Sequence, residues 1–318
     1  MMRRLAFGIF AGVAIGFFGV AEVRAEEQLP DLAYAFKNAA PAWAGGQGPQ
    51  ITLSTSNSEF VSRGSMDPFA MLAKSDGFRV ARQNGDFLAA FPQNGGILVI
   101  ANPFVESFKD FPAMTPPSAF RPEEIEAVRE WVESGGALLL LADHAPQGGG
   151  SSDLAKAFGF EFLNGHTVND AAAANGNMVV QISFTPDSGL EGEHAITNGA
   201  TGRPKIRHFR GFGGQSFIPP ANGTVLLTIP QGWSAVFTYS SAAELNSAPR
   251  IDASGMAQGA VLEYGKGRIA VFAEVGAFSA QTISGKRPFG FNTPVGAENP
   301  EFILATLRWL ARYQPGAQ

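Results

Sequence analysis

From residue 51 onward, short wholly apolar runs alternate with amphipathic stretches, and this rhythm predicts the fold before any composition is counted. Residues 51–55 read as a strand, 67–74 as a helix with Pro68 at its start, and 77–81 as a second strand. Residues 96–101 carry Ile97-Leu98-Val99-Ile100, a strand-length run rich in β-branched side chains. Pro122 then opens a helix over 123–133, with Glu123 and Glu124 in the first turn where the helix dipole favours negative charge. Gly135-Gly136 ends it, and 137–142 are apolar throughout. Strands that are apolar along their whole length, each separated by a helix, predict a parallel sheet covered on both faces. The expected class is therefore α/β, a doubly wound, mostly parallel sheet.

The second half follows a different pattern. Between about 178 and 264 the apolar runs are short and joined by Gly, Pro and Asn, as at Val225-Leu226-Leu227 and Ala235-Val236-Phe237, which predicts an antiparallel extension. Residues 260–264 and 268–273 flank Gly265-Lys266-Gly267, a tight hairpin turn whose lone lysine makes no phosphate loop. A last helix over 300–313 would bury Phe302, Leu304, Leu307, Trp309 and Leu310 on one broad face. The expected organisation is one domain over 50–318, with an antiparallel insertion at about 178–256. Pro41 and Gly45-Gly46-Gln47-Gly48-Pro49 mark 26–49 as a lead-in or linker.

The first 25 residues change the picture of where the protein works. Arg3 and Arg4, an uncharged apolar run from 5 to 20, and Val23-Arg24-Ala25 before Glu26-Glu27 have the pattern of a cleaved secretory signal peptide. The mature chain is accordingly expected in a periplasm or outside the cell, with no membrane span of its own. Across 318 residues there is no cysteine, which excludes disulfides, thiolate metal sites, thiol nucleophiles and lipid anchoring through cysteine. A net charge of −5 offers no broad basic surface and argues against nucleic acid as a partner.

In open α/β sheets, ligands bind outside the carboxyl ends of the strands, and two such ends carry titratable groups. Asp143-His144-Ala145-Pro146 follows the most apolar strand and leads through Gly148-Gly149-Gly150 to a helix expected to start near Ser151 or Ser152. Adjacent Asp143 and His144 there can serve as an acid/base pair, hold a metal, or present an anion to backbone N–H groups. Glu274 ends the strand over 269–273 and is followed by Phe278-Ser279-Ala280-Gln281. The histidines His144, His166, His194 and His208 are the candidate ligands of a divalent metal, the one cofactor considered, although their spacing matches no metal motif. A Gly-x-Ser-x-Gly elbow is absent, so a serine hydrolase is weakly supported.

Several motifs carry a resemblance. Glu123-Glu124, Trp131 to Gly136, Leu138 to His144, Leu154-Ala155 with Phe158-Gly159, and Asn164-Gly165 lie in its first half. His194 to Gly199, Gly213 to Phe217, Gly265 to Arg268, Glu274 with Phe278 to Gln281, and Asn299 with Leu307 to Leu310 lie in its second. Together, over residues 50 to 312, they resemble secreted DUF4350-type proteins of the class I glutamine amidotransferase-like superfamily. The resemblance implies a flavodoxin-like three-layer sandwich and little about reaction, since fold alone does not fix function. True amidotransferases carry a cysteine at the turn where this chain has Asp143-His144, so cysteine-dependent amidotransfer is excluded. Similar proteins also carry an acidic, histidine-rich segment where this chain has Ser54-Thr55-Ser56-Asn57-Ser58-Glu59.

Two expectations follow. One is an exported hydrolase or lyase of a small polar, sugar-like substrate. His144 would be its base or metal ligand, Asp143 its partner and Glu274 the second carboxylate. Gln215, Gln281, Gly148, Gly149 and His194 would line the substrate. Carboxylates much more than about 12 Å apart could not share one substrate. The other is a non-catalytic ligand-binding or interaction module of the cell envelope.

Overall fold

The computed structural model describes residues 27–57, 61, 64–83, 85–89, 91–92, 96–105, 117–237 and 244–316. The proposed signal peptide, with Ser58 and Glu59, lies outside the described residues. In chain order the elements begin with β1 (Gln28–Pro30), β2 (Gln50–Ser54), α1 (Asp67–Ser75), β3 (Arg79–Gln83), β4 (Ile97–Ala101), α2 (Pro122–Glu133), β5 (Ala137–Leu141) and α3 (Gln147–Lys156). Next come β6 (Glu161–Phe162), β7 (His166–Asn169), α4 (Asp170–Ala174), β8 (Ser183–Phe184), β9 (Phe209–Arg210), β10 (Phe217–Ile218), β11 (Thr224–Thr228), β12 (Trp233–Val236) and β13 (Arg250–Asp252). The chain closes with β14 (Ala257–Tyr264), β15 (Gly267–Phe272), β16 (Ala280–Ile283), β17 (Arg287–Gly290) and α5 (Asn299–Leu310).

Among the described residues the central sheet has nine strands. Five are parallel, in the spatial order β3-β2-β4-β5-β15, and an antiparallel flank of β14, β10, β11 and β6 extends it. Read along the chain, the parallel strands lie second, first, third, fourth, fifth. Smaller antiparallel sheets are β1-β16-β17, β13-β12-β7 and β8-β9. The protein is thus mixed α/β with a mostly parallel central sheet and antiparallel additions.

The uniform apolarity of β4 and β5 has a direct cause in packing. Side chains alternate between faces along a strand. On one face Ile97, Val99, Leu139, Leu141, Ala270 and Phe272 pack with Phe69 and Leu72 of α1 and Phe302 and Leu307 of α5. On the other, Leu98, Ile100, Leu138, Leu140, Ile269 and Val271 pack with Val128 and Val132 of α2 and Leu154 of α3. Leu138 to Leu141 are fully buried, and each such side chain contributes about 1.5–3 kcal/mol relative to exposure. The hairpin expected at Gly265-Lys266 joins β14 to β15 in that register.

Two expectations are corrected. Residues 27–49 do not run as a linker: β1 pairs with β16, the Trp43 ring packs on Phe78 and Tyr313, and Asn38 donates to Asp76 Oδ1 at 2.7 Å. Its Pro/Gly cluster turns the chain without releasing it. The helix expected near Ser151 begins at Gln147, so Gly148-Gly149-Gly150 form its first turn rather than a loop. Glycine weakens a helix by about 1 kcal/mol per residue, but here only glycine fits. A Cβ on Gly150 would stand 2.5 Å from the Pro103 carbonyl, and one on Gly148 would stand 2.1 Å from Gln215 Nε2.

A buried ion network fastens the far edge. Arg308 grips Asp76 with Nε to Oδ2 at 2.8 Å and Nη2 to Oδ1 at 2.6 Å, and it also donates to the carbonyls of Ala40, Thr201 and Gly202. Arg203 joins Asn38 at 2.8 Å and Glu301 at 2.7 Å. Bidentate geometry and satisfied donors are what allow such charges to be buried.

Candidate functional site at the carboxyl edge of the sheet

Three adjacent parallel strands end in polar residues: β4 at Asn102, β5 at Asp143 and β15 at Glu274. Asn102 holds the first two ends together, its N–H donating to Leu141 O at 2.8 Å and its Oδ1 accepting from the Asp143 N–H at 2.8 Å. Sequence reasoning passed over Asn102, although it has the signal that marks Asp143 and Glu274, a polar residue directly after a buried strand.

Asp143 Oδ1 accepts the His144 N–H at 2.9 Å, which folds the loop back on itself. His144 Nδ1 lies 2.8 Å from Ala145 O. A carbonyl only accepts, so Nδ1 carries the proton and Nε2 is the basic nitrogen. The His144 ring stacks on His166 of β7 with centroids 4.0 Å apart and planes 24° from parallel. Burial, and secondly the neighbouring His144, hold the His166 pKa well below the usual histidine range.

Glu274 lies beneath this loop and is 1% exposed. Its Oε2 accepts from the N–H groups of Phe212 at 2.9 Å and Gly213 at 2.6 Å, and its Oε1 from that of Ala277 at 3.1 Å. Burial, followed by the charge of Asp143, raises its pKa to about 8, and these amides offset only part of the rise. Gln258 Oε1, a buried acceptor without a partner among the described residues, stands on the same side of Gly211 as Glu274. A Cβ built on Gly213 would lie 3.9 Å from Asp143 Oδ1, which with the 2.6 Å bond to Glu274 limits the carboxylates to no more than about 9 Å apart.

Several residues expected to meet substrate support the loop instead. Gln215 is fully buried: its Nε2 donates to Asp143 O at 2.8 Å and Ala142 O at 3.3 Å, and its Oε1 accepts from Asn164 N at 2.7 Å. Gly149 N donates to Asn164 Oδ1 at 2.7 Å, and Gly148 faces Gln215, so both glycines close against protein. Gln281 is buried on β16 in a separate sheet, where its carbonyl accepts from Asn292 Nδ2 at 2.9 Å.

The four histidines do not converge. His194 packs on Trp309 with centroids 5.4 Å apart and feels Arg268, which pairs with Ala137 at the amino ends of β15 and β5. That is the opposite edge of the sheet from Asp143. His208 sits before β9 with its N–H on Glu298 Oε2 at 3.1 Å. Among the described residues no three or more His, Asp or Glu side chains are grouped to hold a metal. The stacked rings of His144 and His166 turn their faces to each other, which is no chelating arrangement. A cavity of about 140 Å³, lined by Tyr34, Phe36, Met71, Leu72 and Phe291, lies apart from these groups. No described helix is long and apolar enough to cross a membrane.

No family model and no curated protein sequence matches the chain. Solved structures do. One titled mmIFT52 N-terminal domain is similar at 14% identity, with 82% of this chain and 97% of that chain covered and a TM-score of 0.50, a likeness of fold alone. ThuA-like proteins are also among the structural neighbours. The one from Parabacteroides merdae has 15% identity, coverage of 86% and 93%, and a TM-score of 0.44. The one from Bacteroides uniformis has 12% identity, coverage of 88% and 96%, and a TM-score of 0.43.

Proposed function

We propose that the chain is an exported α/β hydrolase or lyase acting on a small polar, sugar-like substrate at the Asp143-His144 loop. The observation that carries this reading is the fixed tautomer of His144, which leaves Nε2 as the basic nitrogen in a loop at the carboxyl end of a parallel strand, where the Asp143 carboxylate bonds the His144 backbone N–H. In hydrolysis, Nε2 takes the proton of the attacking water and returns it to the leaving group, while the Asp143 carboxylate stabilises the imidazolium between the two steps. Neutral His166 supports the ring by stacking and adds no competing charge. Glu274 is a positioning residue in this scheme: its carboxyl ties the 212–213 and 276–278 segments to the strand end, and its burial keeps it off the substrate.

A doubly wound three-layer sandwich of the class I glutamine amidotransferase-like kind, in a DUF4350-type branch, is supported by the strand order and by a helix-covered core on each face. Export rests on Arg3, Arg4 and the apolar run behind them. The intact mass of protein recovered from the periplasm or medium should correspond to a chain beginning at Glu26.

The test of the site uses 4-nitrophenyl glycosides and esters, together with thermal shifts from neutral mono- and disaccharides. Wild type should turn over at least one probe. His144→Ala should lose about 10²–10⁴-fold of that rate with its melting temperature nearly unchanged. An equal rate in the variant overturns the role of His144. Absence of both turnover and thermal shift in wild type replaces the enzyme reading with a non-catalytic envelope module.

A further inference from the structure

We propose that Arg210, with Ser183 and Gln181, forms a binding site for an oxyanion group, a carboxylate or a phosphate, at the paired strands β8 and β9. This proposal does not depend on the Asp143-His144 loop being catalytic. Arg203, Arg268 and Arg308 are also withdrawn from solvent, and each pairs with a carboxylate: Glu301, Glu263 and Asp76. Arg210 is half-buried and has none among the described residues. Its Nη1 donates to Ser183 Oγ at 2.6 Å and its Nη2 to Gln181 Oε1 at 2.8 Å, both neutral, and its buried Nε has no acceptor among the described residues. Glu298, the acid beside the neighbouring His208, is spent on the backbone N–H groups of Arg207 and His208.

The chemistry left over is one-sided. Ser183 and Gln181 each use an acceptor on the guanidinium, so the hydroxyl proton of one and the amide protons of the other remain to be donated. A cation beside two neutral side chains that still have protons to donate fits an anion, with each neutral oxygen already turned to the guanidinium. Desolvation pushes the Arg210 pKa down, as expected of a charge withdrawn from water without a counter-ion. The group is also held in place from behind: the Arg210 N–H donates to Asn299 Oδ1 at 2.9 Å, and Asn299 Nδ2 returns a bond to Arg210 O at 2.8 Å, in the first turn of α5. A positioned fork needs little further ordering to bind.

Isothermal titration of the full chain with sodium phosphate and with sodium acetate, at ionic strength matched by chloride, tests this directly. Saturable binding of either anion to wild type is expected. Phosphate alone identifies a tetrahedral group, and acetate as well identifies a carboxylate. Arg210→Gln should weaken binding by at least about tenfold, and Arg210→Lys, which keeps the charge but not the fork, should fall between them. No saturable binding of either anion, or equal binding by Arg210→Gln, overturns the proposal. If Arg210→Gln fails to fold, Ser183→Ala decides: weaker phosphate binding supports the site, and unchanged binding overturns it.

Discussion

Replacing Glu274 by glutamine separates two forces that the fold sets against each other. Burial and the nearby Asp143 favour the neutral carboxyl, while three backbone N–H groups favour the anion, and the balance leaves the pKa raised from 4.5 to about 8. The native state therefore holds this proton more tightly than the unfolded chain does. The stabilisation from protonated Glu274 is complete below about pH 4.5 and is lost as pH rises to about 8. One pKa unit is worth about 1.4 kcal/mol, so the whole window amounts to about 5 kcal/mol. Glu274→Gln cannot ionise. It loses stability at low pH, where an amide N–H₂ must face a backbone donor, but it should gain on wild type as pH rises. Urea unfolding of both proteins at steps between about pH 4.5 and 9 measures the difference, which should tilt by up to about 1.4 kcal/mol per pH unit. Parallel curves for the two proteins would refute the reasoning. They would mean that the three amides outweigh burial and that Glu274 is a carboxylate throughout.

Further substitutions test the scaffold. Arg308→Met leaves Asp76 buried without its bidentate partner and should cost about 3–5 kcal/mol in chemical denaturation, with part recovered by adding Asp76→Asn. Gly148→Ala drives a Cβ against Gln215 and should cost about 1–3 kcal/mol, whereas Gly192→Ala, which meets no atom within 4 Å, should change stability by less than about 0.5 kcal/mol. Equal melting temperatures for these two alanine variants would remove the case for Gln215 as a bracket under the Asp143 loop.

The parallel half of the sheet was legible because its inner strands β2, β4, β5 and β15 are buried on both faces, so runs such as Leu138 to Leu141 carry their environment in their composition. The rule that sites form at strand ends then picked out Asp143 and Glu274, and the structure brings both close to Gly213. The partnership of His144 with His166 was not legible. It depends on β7 crossing back to pair with β12, a long-range choice that a four-residue strand does not announce. Gln215 looked like a substrate contact because its chemistry suits one, and only its burial shows both ends of the amide committed to the chain. The triple glycine was misread for a related reason. Its signal is permission for close approach, and sequence does not say whether a ligand or Gln215 and Pro103 make that approach.

The Asp76 and Arg308 pair joins positions 232 residues apart and also draws in Ala40 and Thr201. Until α5 is in place the Asp76 carboxylate has Arg203 Nη1 at 3.8 Å but lacks its bidentate partner, so the core that buries it is held less tightly. The carboxy-terminal helix therefore acts as a latch. Shortened chains ending before residue 308 should remain loose and open to proteolysis.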